Sequence, residues 1–440
     1  ESTFTPLDND YLLRTADEDQ TYREISRHSP RDAEAYMRFG PFMGQIGMAV
    51  RPILETIAPN TVRPGLSDLA TIKKMLNHFK TLSDELFEYL TKLMTMSSAD
   101  FLDEWFEFEP LKATISSSGI IGTFMGPRSP GSAYVMLHHY MGDIDGSFRT
   151  WGFQRGGTGA VSMAIARSAE HFGADILTEA PVEKVIVKNG RAIGIALENG
   201  NEYQADKVIS GLDPKLSFLK MVDESDLPSD FVTDIKNFRI RGSSGKVNLA
   251  LDGLPDFTCL PGSGPHLRGA ISIGPSYDYL EKAYDDAKYG NFSKVPFLDI
   301  IMPSVLDPDM APPGKHVMSC FVQYAPYLIK GGWNDRKREA FGDAVVNAIA
   351  RFAPNIKNII LHRQVLTPAD LESTFGLTEG NIFHGELSLQ QLFVLRPAAN
   401  WADYKTPIKN YYQCGSGTHP GGGITGSPGE MAAKKILRDW

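Results

Sequence analysis

Cysteine is scarce in this 440-residue sequence. Cys259, Cys320 and Cys414 are its only three, and none stands in a CxxC pair or at metal-ligand spacing. That scarcity removes a disulfide framework, a zinc site and a dithiol redox pair, so no metal is expected. It leaves the three thiols as small apolar side chains. No run of about 18 or more apolar residues occurs, which removes a transmembrane helix. Positive charge is also in deficit: 44 Lys and Arg against 53 Asp and Glu give a formal net charge of −9. The basic residues are scattered, and Lys73-Lys74 and Arg336-Lys337-Arg338 fall on helical patterns as solvated faces. No nucleic-acid partner is expected from them. The opening Glu1-Ser-Thr-Phe-Thr-Pro6 has no methionine, signal-peptide or transit-peptide character.

What is present reads as an ordinary globular composition, with 42% hydrophobic and 22% charged residues. Residues 1–30 read as an irregular lead-in. Ser29-Pro30, a cap followed by proline in the first turn, starts a helix towards Ile57 with Met37, Phe39, Phe42, Met43, Ile46, Met48 and Val50 on its apolar side. Its composition leaves core packing, a greasy wall and a membrane-resting face open. Helical patterns follow over 66–80 and 82–97. From Gly156-Gly157-Thr158-Gly159 a helix runs over Ala160–Phe172. Val182–Val187, Ile193–Leu197 and Tyr203–Ile209 are strand-like runs separated by Asn189-Gly190 and Asn199-Gly200, which predicts a three-stranded meander with type I′ turns. Strands are expected at Lys246–Leu251, Phe297–Ile301, Val317–Gln323 and Ile359–Val365, with helices at Tyr277–Lys288 and Trp333–Phe352. A last strand, Asn410–Cys414, enters a glycine-rich stretch before a closing helix over Glu430–Arg438. The expected fold class is α/β in the α+β sense. The expected segments are 1–150, helical; 151–214, a glycine turn and meander; 215–400, α+β with a largely antiparallel sheet; and 401–440, a glycine run and helix.

Two glycine-rich turns precede helices, and so present backbone N–H groups to an anion or a polar ring edge. One is Arg155-Gly156-Gly157. The other is Cys414-Gly-Ser-Gly-Thr-His-Pro-Gly-Gly-Gly-Ile-Thr-Gly426. Gly421-x-Gly423-x-x-Gly426 fits the dinucleotide pattern as written, but not its context, which needs a βαβ unit and an acidic residue about 20 positions on. A flexible loop is the bland alternative for both.

The wording of these segments resembles the phytoene desaturase and carotenoid isomerase group of flavin enzymes over nearly the whole chain. The motifs are Trp105-Phe-Glu-x-Glu-Pro-Leu-Lys-Ala-Thr114, Pro130-Gly-Ser-x-Tyr134, Leu137-His-His139, Trp151-Gly152 with Gly156-Gly157, Leu306-Asp-Pro308, Ala311-Pro-Pro-Gly314, Asn381-Ile-Phe-His384 and the Cys414 run. The resemblance implies an FAD-binding domain of the discontinuous Rossmann-like type and a substrate domain. It also implies FAD contacts at Val182, after Ala-Pro, and at Gly415, Gly417, Gly422, Gly423 and Ile424, with Gly156 and Gly157 as further cofactor candidates. His419, Arg155 and His384 are the polar candidates beside the ring, each with a structural histidine or surface arginine as the plainer alternative.

The group's opening strand, GxGxxG turn and ribose-binding acid do not occur before the matching region. The expectation is therefore that this segment is missing, is cleaved but still associated, or that this form holds no FAD. The expected activity is hydride transfer from an apolar small-molecule substrate to flavin. A redox-neutral isomerase and a scaffold protein without FAD are the alternatives. Peripheral membrane contact and self-association remain open as partners. The expected compartment is the cytoplasm in a bacterium or the mitochondrial matrix in a eukaryote, and secretion is not expected.

Overall fold

The structure, a computed structural model, describes residues 3–144, 147–148 and 152–440. Trp151 of the Trp151-Gly152 motif, and the segment boundary set there, lie outside the described residues.

The first elements are a short hairpin, β1 (Thr3–Pro6) and β2 (Tyr11–Arg14), where the sequence suggested only a lead-in. Four-residue strands, one ending in proline, are too short to show an alternation of period two. Helices follow, among them α1 (Pro30–Leu54), α2 (Leu66–Phe79) and α3 (Asp84–Thr95). Helix α4 (Gly159–His171) leads to the meander β3 (Val182–Lys188), β4 (Arg191–Leu197) and β5 (Glu202–Gln204). Next comes β6 (Val208–Ser210). The predicted run Tyr203–Ile209 thus breaks in two, because β6 leaves the meander for a parallel partner far along the chain. Among the later elements are β7 (Ser244–Leu251), β8 (Ala270–Ile273), α5 (Tyr277–Lys288), β9 (Phe297–Ile301), β10 (His316–Gln323), α6 (Asp335–Ala350), β11 (Ile360–Leu366), β12 (Tyr411–Gln413) and α7 (Ser427–Arg438).

Both meander turns form, but only one as expected. Asn189 and Gly190 have φ of 50° and 70°, as a type I′ turn requires. In the second turn only Gly200 is left-handed, and Leu197 N–H bonds the Asn201 carbonyl across a three-residue loop. That is the pattern of a type I turn closed by a left-handed glycine.

The chain divides into two compact units, each assembled from three separated stretches. Unit 1 is Glu1–Gln45, Thr91–Ala174 and Gly242–Phe375; unit 2 is Ile46–Leu90, Asp175–Arg241 and Gly376–Trp440. Unit 1 is built on a seven-stranded sheet in the order β11-β7-β10-β9-β8-β1-β2, antiparallel except for the β1–β8 pair. One face of it is apolar. Val247, Leu249, Leu251, Ile271, Ile273, Leu298, Ile300, Met318, Cys320 and Val322 cluster with Phe341, Val345 and Ile349 of α6. Gly245 is glycine for a packing reason, since a Cβ there would lie 2.7 Å from the Phe341 ring. In the same unit Phe39 of α1 is fully buried, with its ring 5.1–6.4 Å from those of Phe101, Trp105, Phe106 and Tyr140. Core packing is therefore the role of this part of α1. Helix α4 buries none of its residues.

Unit 2 has less regular structure. Its core joins Val185, Ala192 and Val208 to Phe218, Phe231, Val232, Ile235, Ile408 and Tyr411. Strands β6 and β12 pair in parallel, Val208 opposite Tyr411 and Ser210 opposite Gln413.

Candidate functional site: a glycine-lined crevice in unit 2

Parallel strands present their carboxyl ends to one side, and in α/β folds that end is where ligands bind. In unit 2, β6 ends at Ser210 and β12 at Gln413, and the ladder extends one step further through Cys414 N–H to the Ser210 carbonyl, 2.8 Å. The two chains then run so close that a Cβ on Gly415 would sit 2.9 Å from the Gly211 oxygen. Gly415 also has φ of +84°, so glycine is required twice over. Gly417 and Gly422 are fixed differently: an added Cβ would meet Pro214 at 2.6 Å or the Phe383 ring at 2.4 Å.

The glycine run ends in an exposed turn. Gly423, Ile424, Thr425 and Gly426 face solvent immediately before α7. Ile424 holds φ of +56°, which a β-branched residue rarely adopts, and its side chain is 83% exposed. Such strain, stored next to a helix N-terminus whose N–H groups point outward, suits a segment shaped for a ligand rather than for packing.

The Ala180-Pro181-Val182 strand belongs to the same unit. Arg191 bridges Lys409 in parallel, so β4 and the chain entering β12 start side by side and run in the same sense. Val182 pairs with Leu197 at the far end of β4. A register shift between Val182 and Lys184 interrupts the ladder there.

A residue that the sequence did not single out organises the crevice. Arg396 is fully buried, and its guanidinium donates to the carbonyls of Phe383, Gly385, Glu386, Gln391 and Ser416 at 2.7–3.3 Å. It thereby ties the 383–391 segment to the glycine run. Arginine is seldom buried, and nothing in Leu395-Arg396-Pro397 marks it. Beside it, Arg241 makes a two-pronged pair with the buried Glu386, at 2.6 and 2.8 Å.

The histidine candidates take different positions within unit 2. His419 is 2% exposed, and its Nε2 contacts the Ile53 carbonyl at 3.0 Å. Burial drives its pKa down to about 4, against the Ile53 bond, so the ring is neutral at pH 7. His384 has φ of +54°, and its buried Nδ1 has no hydrogen-bond partner among the described residues. Burial also lowers its pKa, with Asp213 opposing and Arg396 assisting. The Gly417 position lies 3.5 Å from the His384 carbonyl. Asp213 caps the helix after it through Lys215 and Leu216 N–H, and accepts from Thr378 Oγ1 at 2.6 Å.

Arg155, Gly156 and Gly157 belong to unit 1, and their partners there are acidic. Arg155 is exposed and pairs with Asp309 at 3.0 Å, while Gly156 N–H donates to Asp307 at 2.7 Å. Both glycines are left-handed, φ +78° and +87°, as the turn into α4 requires.

Two parallel strands followed by a glycine run that feeds a helix are the arrangement of nucleotide-cofactor folds, and unit 2 carries it alongside the sheet-based unit 1. The sequence confirms that class. Residues 18–429 match the family described as flavin containing amine oxidoreductase, and the chain belongs to it. It is 40% identical over 455 residues to pyridine nucleotide-disulfide oxidoreductase domain-containing protein 2 of Mus musculus, covering all of this chain and 78% of that protein. It is 25% identical to a lycopene-forming phytoene desaturase of Paracoccus sp., covering 94% of this chain and 76% of that one. An oxidoreductase from Methanosarcina mazei shares the fold, with a TM-score of 0.53 at 16% identity, over all of this chain and 81% of the other.

Proposed function

We propose that this protein is an FAD-dependent oxidoreductase that removes hydride from an apolar substrate. The observation that carries the reading is the crevice of unit 2, where Gly415 and Gly417 line the carboxyl ends of β6 and β12 and the strained Ile424 opens α7. Its residues fit a flavin. The exposed turn Gly423–Gly426, which enters α7, offers main-chain groups to a ribityl chain and ring edge, and the Val182 end of β3 offers main-chain groups to an adenine. The N-terminus of α7 favours negative charge, and so supports a reduced cofactor.

Bound flavin supplies a hydride acceptor at N5, so the chain needs no nucleophile of its own. The side chains have smaller tasks. His419, neutral and held by Ile53, fixes the glycine run in place. His384, whose lowered pKa favours the neutral ring, presents an unpartnered Nδ1 that can give or take a hydrogen bond. Arg396 keeps the crevice wall rigid through its five carbonyl bonds. One relative is a lycopene-forming phytoene desaturase, and a desaturation or isomerisation of a polyene-like or lipid-like molecule is the chemistry we propose by that likeness.

Contact with a membrane surface is a secondary proposal. It is supported by α2, where Leu66, Leu69 and Leu76 are exposed beside Lys73 and Lys74. No helix among the described residues is long and apolar enough to cross a membrane.

The test is the visible spectrum of the purified protein after incubation with FAD and gel filtration. Retained flavin bands that bleach anaerobically on adding an oxidisable polyene precursor, which loses hydride and a proton as the flavin is reduced, support the reading. A colourless protein that releases all FAD contradicts it.

A further inference from the structure

The face of the unit 1 sheet opposite its apolar core carries polar side chains in register. Lys246 on β7 lies opposite Phe321 on β10, Phe321 opposite Asp299 on β9, and Asp299 opposite Ser272 on β8. Directly opposed residues share a face, so the four form one row across four strands. Gln323 lies two residues beyond Phe321 on the same face.

The neighbouring row satisfies its own hydrogen bonds. Ser319 Oγ donates to Asn248 Oδ1 and Asn248 Nδ2 donates to Gln364 Oε1, each at 3.0 Å. The Asp299 row does not. Asp299 Oδ1, Ser272 Oγ and Gln323 Oε1 are all buried with no hydrogen-bond partner among the described residues. Ser272 is 4% exposed and Gln323 is fully buried, although Gln323 Nε2 does bond the Ile120 carbonyl at 3.2 Å. Three orphaned polar atoms on adjoining positions of one face are costly to keep and call for a partner.

The chemistry of the row selects that partner. Asp299 and Gln323 offer acceptors, Ser272 offers a hydroxyl that can give or take, and Lys246 is the donor at the other end. Lys246 and Asp299 already balance one another in charge, so an added ammonium or carboxylate would leave a net charge in the recess. A neutral hydroxyl meets both ends, donating to Asp299 and accepting from Ser272 or Lys246. Phe321, half-buried between them, supplies an apolar floor for a carbon chain. We propose that Asp299, Ser272, Gln323 and Lys246 form a binding site for the hydroxyl group of an apolar alcohol. Burial also raises the Asp299 pKa to about 6, opposed by Lys246, and lowers that of Lys246, as a shared desolvated recess requires. The site stands on unit 1 alone and does not depend on the flavin reading.

Calorimetric titration of the full chain with n-octanol tests it, with n-octylamine and octanoate as comparators. The expected result is saturable octanol binding that weakens about tenfold or more in Asp299→Leu, the effect of losing a hydrogen bond to a charged group. Ser272→Ala should weaken it by a smaller factor, and Gln364→Ala, in the satisfied row, should leave it unchanged. If Asp299→Leu does not fold, Ser272→Ala and Asp299→Asn carry the comparison. Absence of octanol binding, tighter binding of n-octylamine or octanoate, or an octanol affinity indifferent to Asp299 and Ser272 overturns the proposal.

Discussion

The two units solve the problem of holding their strands in opposite ways. Unit 1 relies on area: the strands β7 to β11 bury a continuous apolar face on α6, where Val247, Ile271, Leu298, Cys320 and Phe341 are fully buried. Unit 2 relies on close approach and on polar ties. Its parallel pair is only three residues long on each side, and the chain beyond it is positioned by glycines that tolerate no Cβ and by one buried arginine. Apolar burial fixes a surface but leaves the backbone paired and inert. Bringing bare backbone together at the ends of strands leaves N–H groups and strained residues available to a ligand, which is why the cofactor site is proposed in unit 2.

The largest break in that contrast should come from Arg396→Met. It removes a guanidinium bonded to five carbonyls and leaves buried acceptors dry, each worth roughly 1–3 kcal/mol. Denaturant unfolding should show a loss of at least about 3 kcal/mol, with amide exchange rising first in 383–391 and 415–419. In unit 1 the matching change is Leu249→Ala, expected to lower stability by about 2–5 kcal/mol through a cavity. There the faster exchange should be confined to β7, β10 and β11.

A sharper test uses pH. The folded pKa of His419 lies near 4, below its ordinary value of 6.5. The unfolded chain therefore takes up the proton first, and stability is lost as pH falls from 6.5 towards 4. The expected loss is on the order of 3 kcal/mol at one residue. Thermal melts of His419→Gln should lack that part of the acid sensitivity; an unchanged pH profile would show that the ring is not neutral and buried as described. The smallest effect is expected from Arg155→Ala. Its exposed pair with Asp309 should contribute less than about 1 kcal/mol, so the melting curve should barely move.

In unit 1, β7, β10 and β11 were legible in the sequence because they run over seven or eight residues. Tyr277–Lys288 was readable from its helical pattern, and the Ser276 side chain caps it at Tyr279 N–H. Strands β1, β2 and β8, each four residues long, were not legible, since so short a segment shows no period. The departure of β6 from the meander was hidden for another reason. Its partner β12 lies some 200 residues away, and parallel pairing leaves no local turn signal. For the crevice, the glycine run was visible as composition, but the reason for each glycine was not. Gly417 answers to Pro214, and Gly422 to Phe383, contacts that only the folded chain reveals. Arg396 was invisible because a lone arginine reads as surface.

The most direct test of the cofactor crevice is FAD affinity, measured by flavin fluorescence, in the unaltered protein and in Ile424→Glu. The side chain at 424 is exposed, so stability should hold while the new carboxylate faces the N-terminus of α7. The account predicts a fall in FAD affinity of tenfold or more, on the order of 1.4 kcal/mol, with an unchanged melting temperature. Equal FAD binding by the two proteins would contradict it.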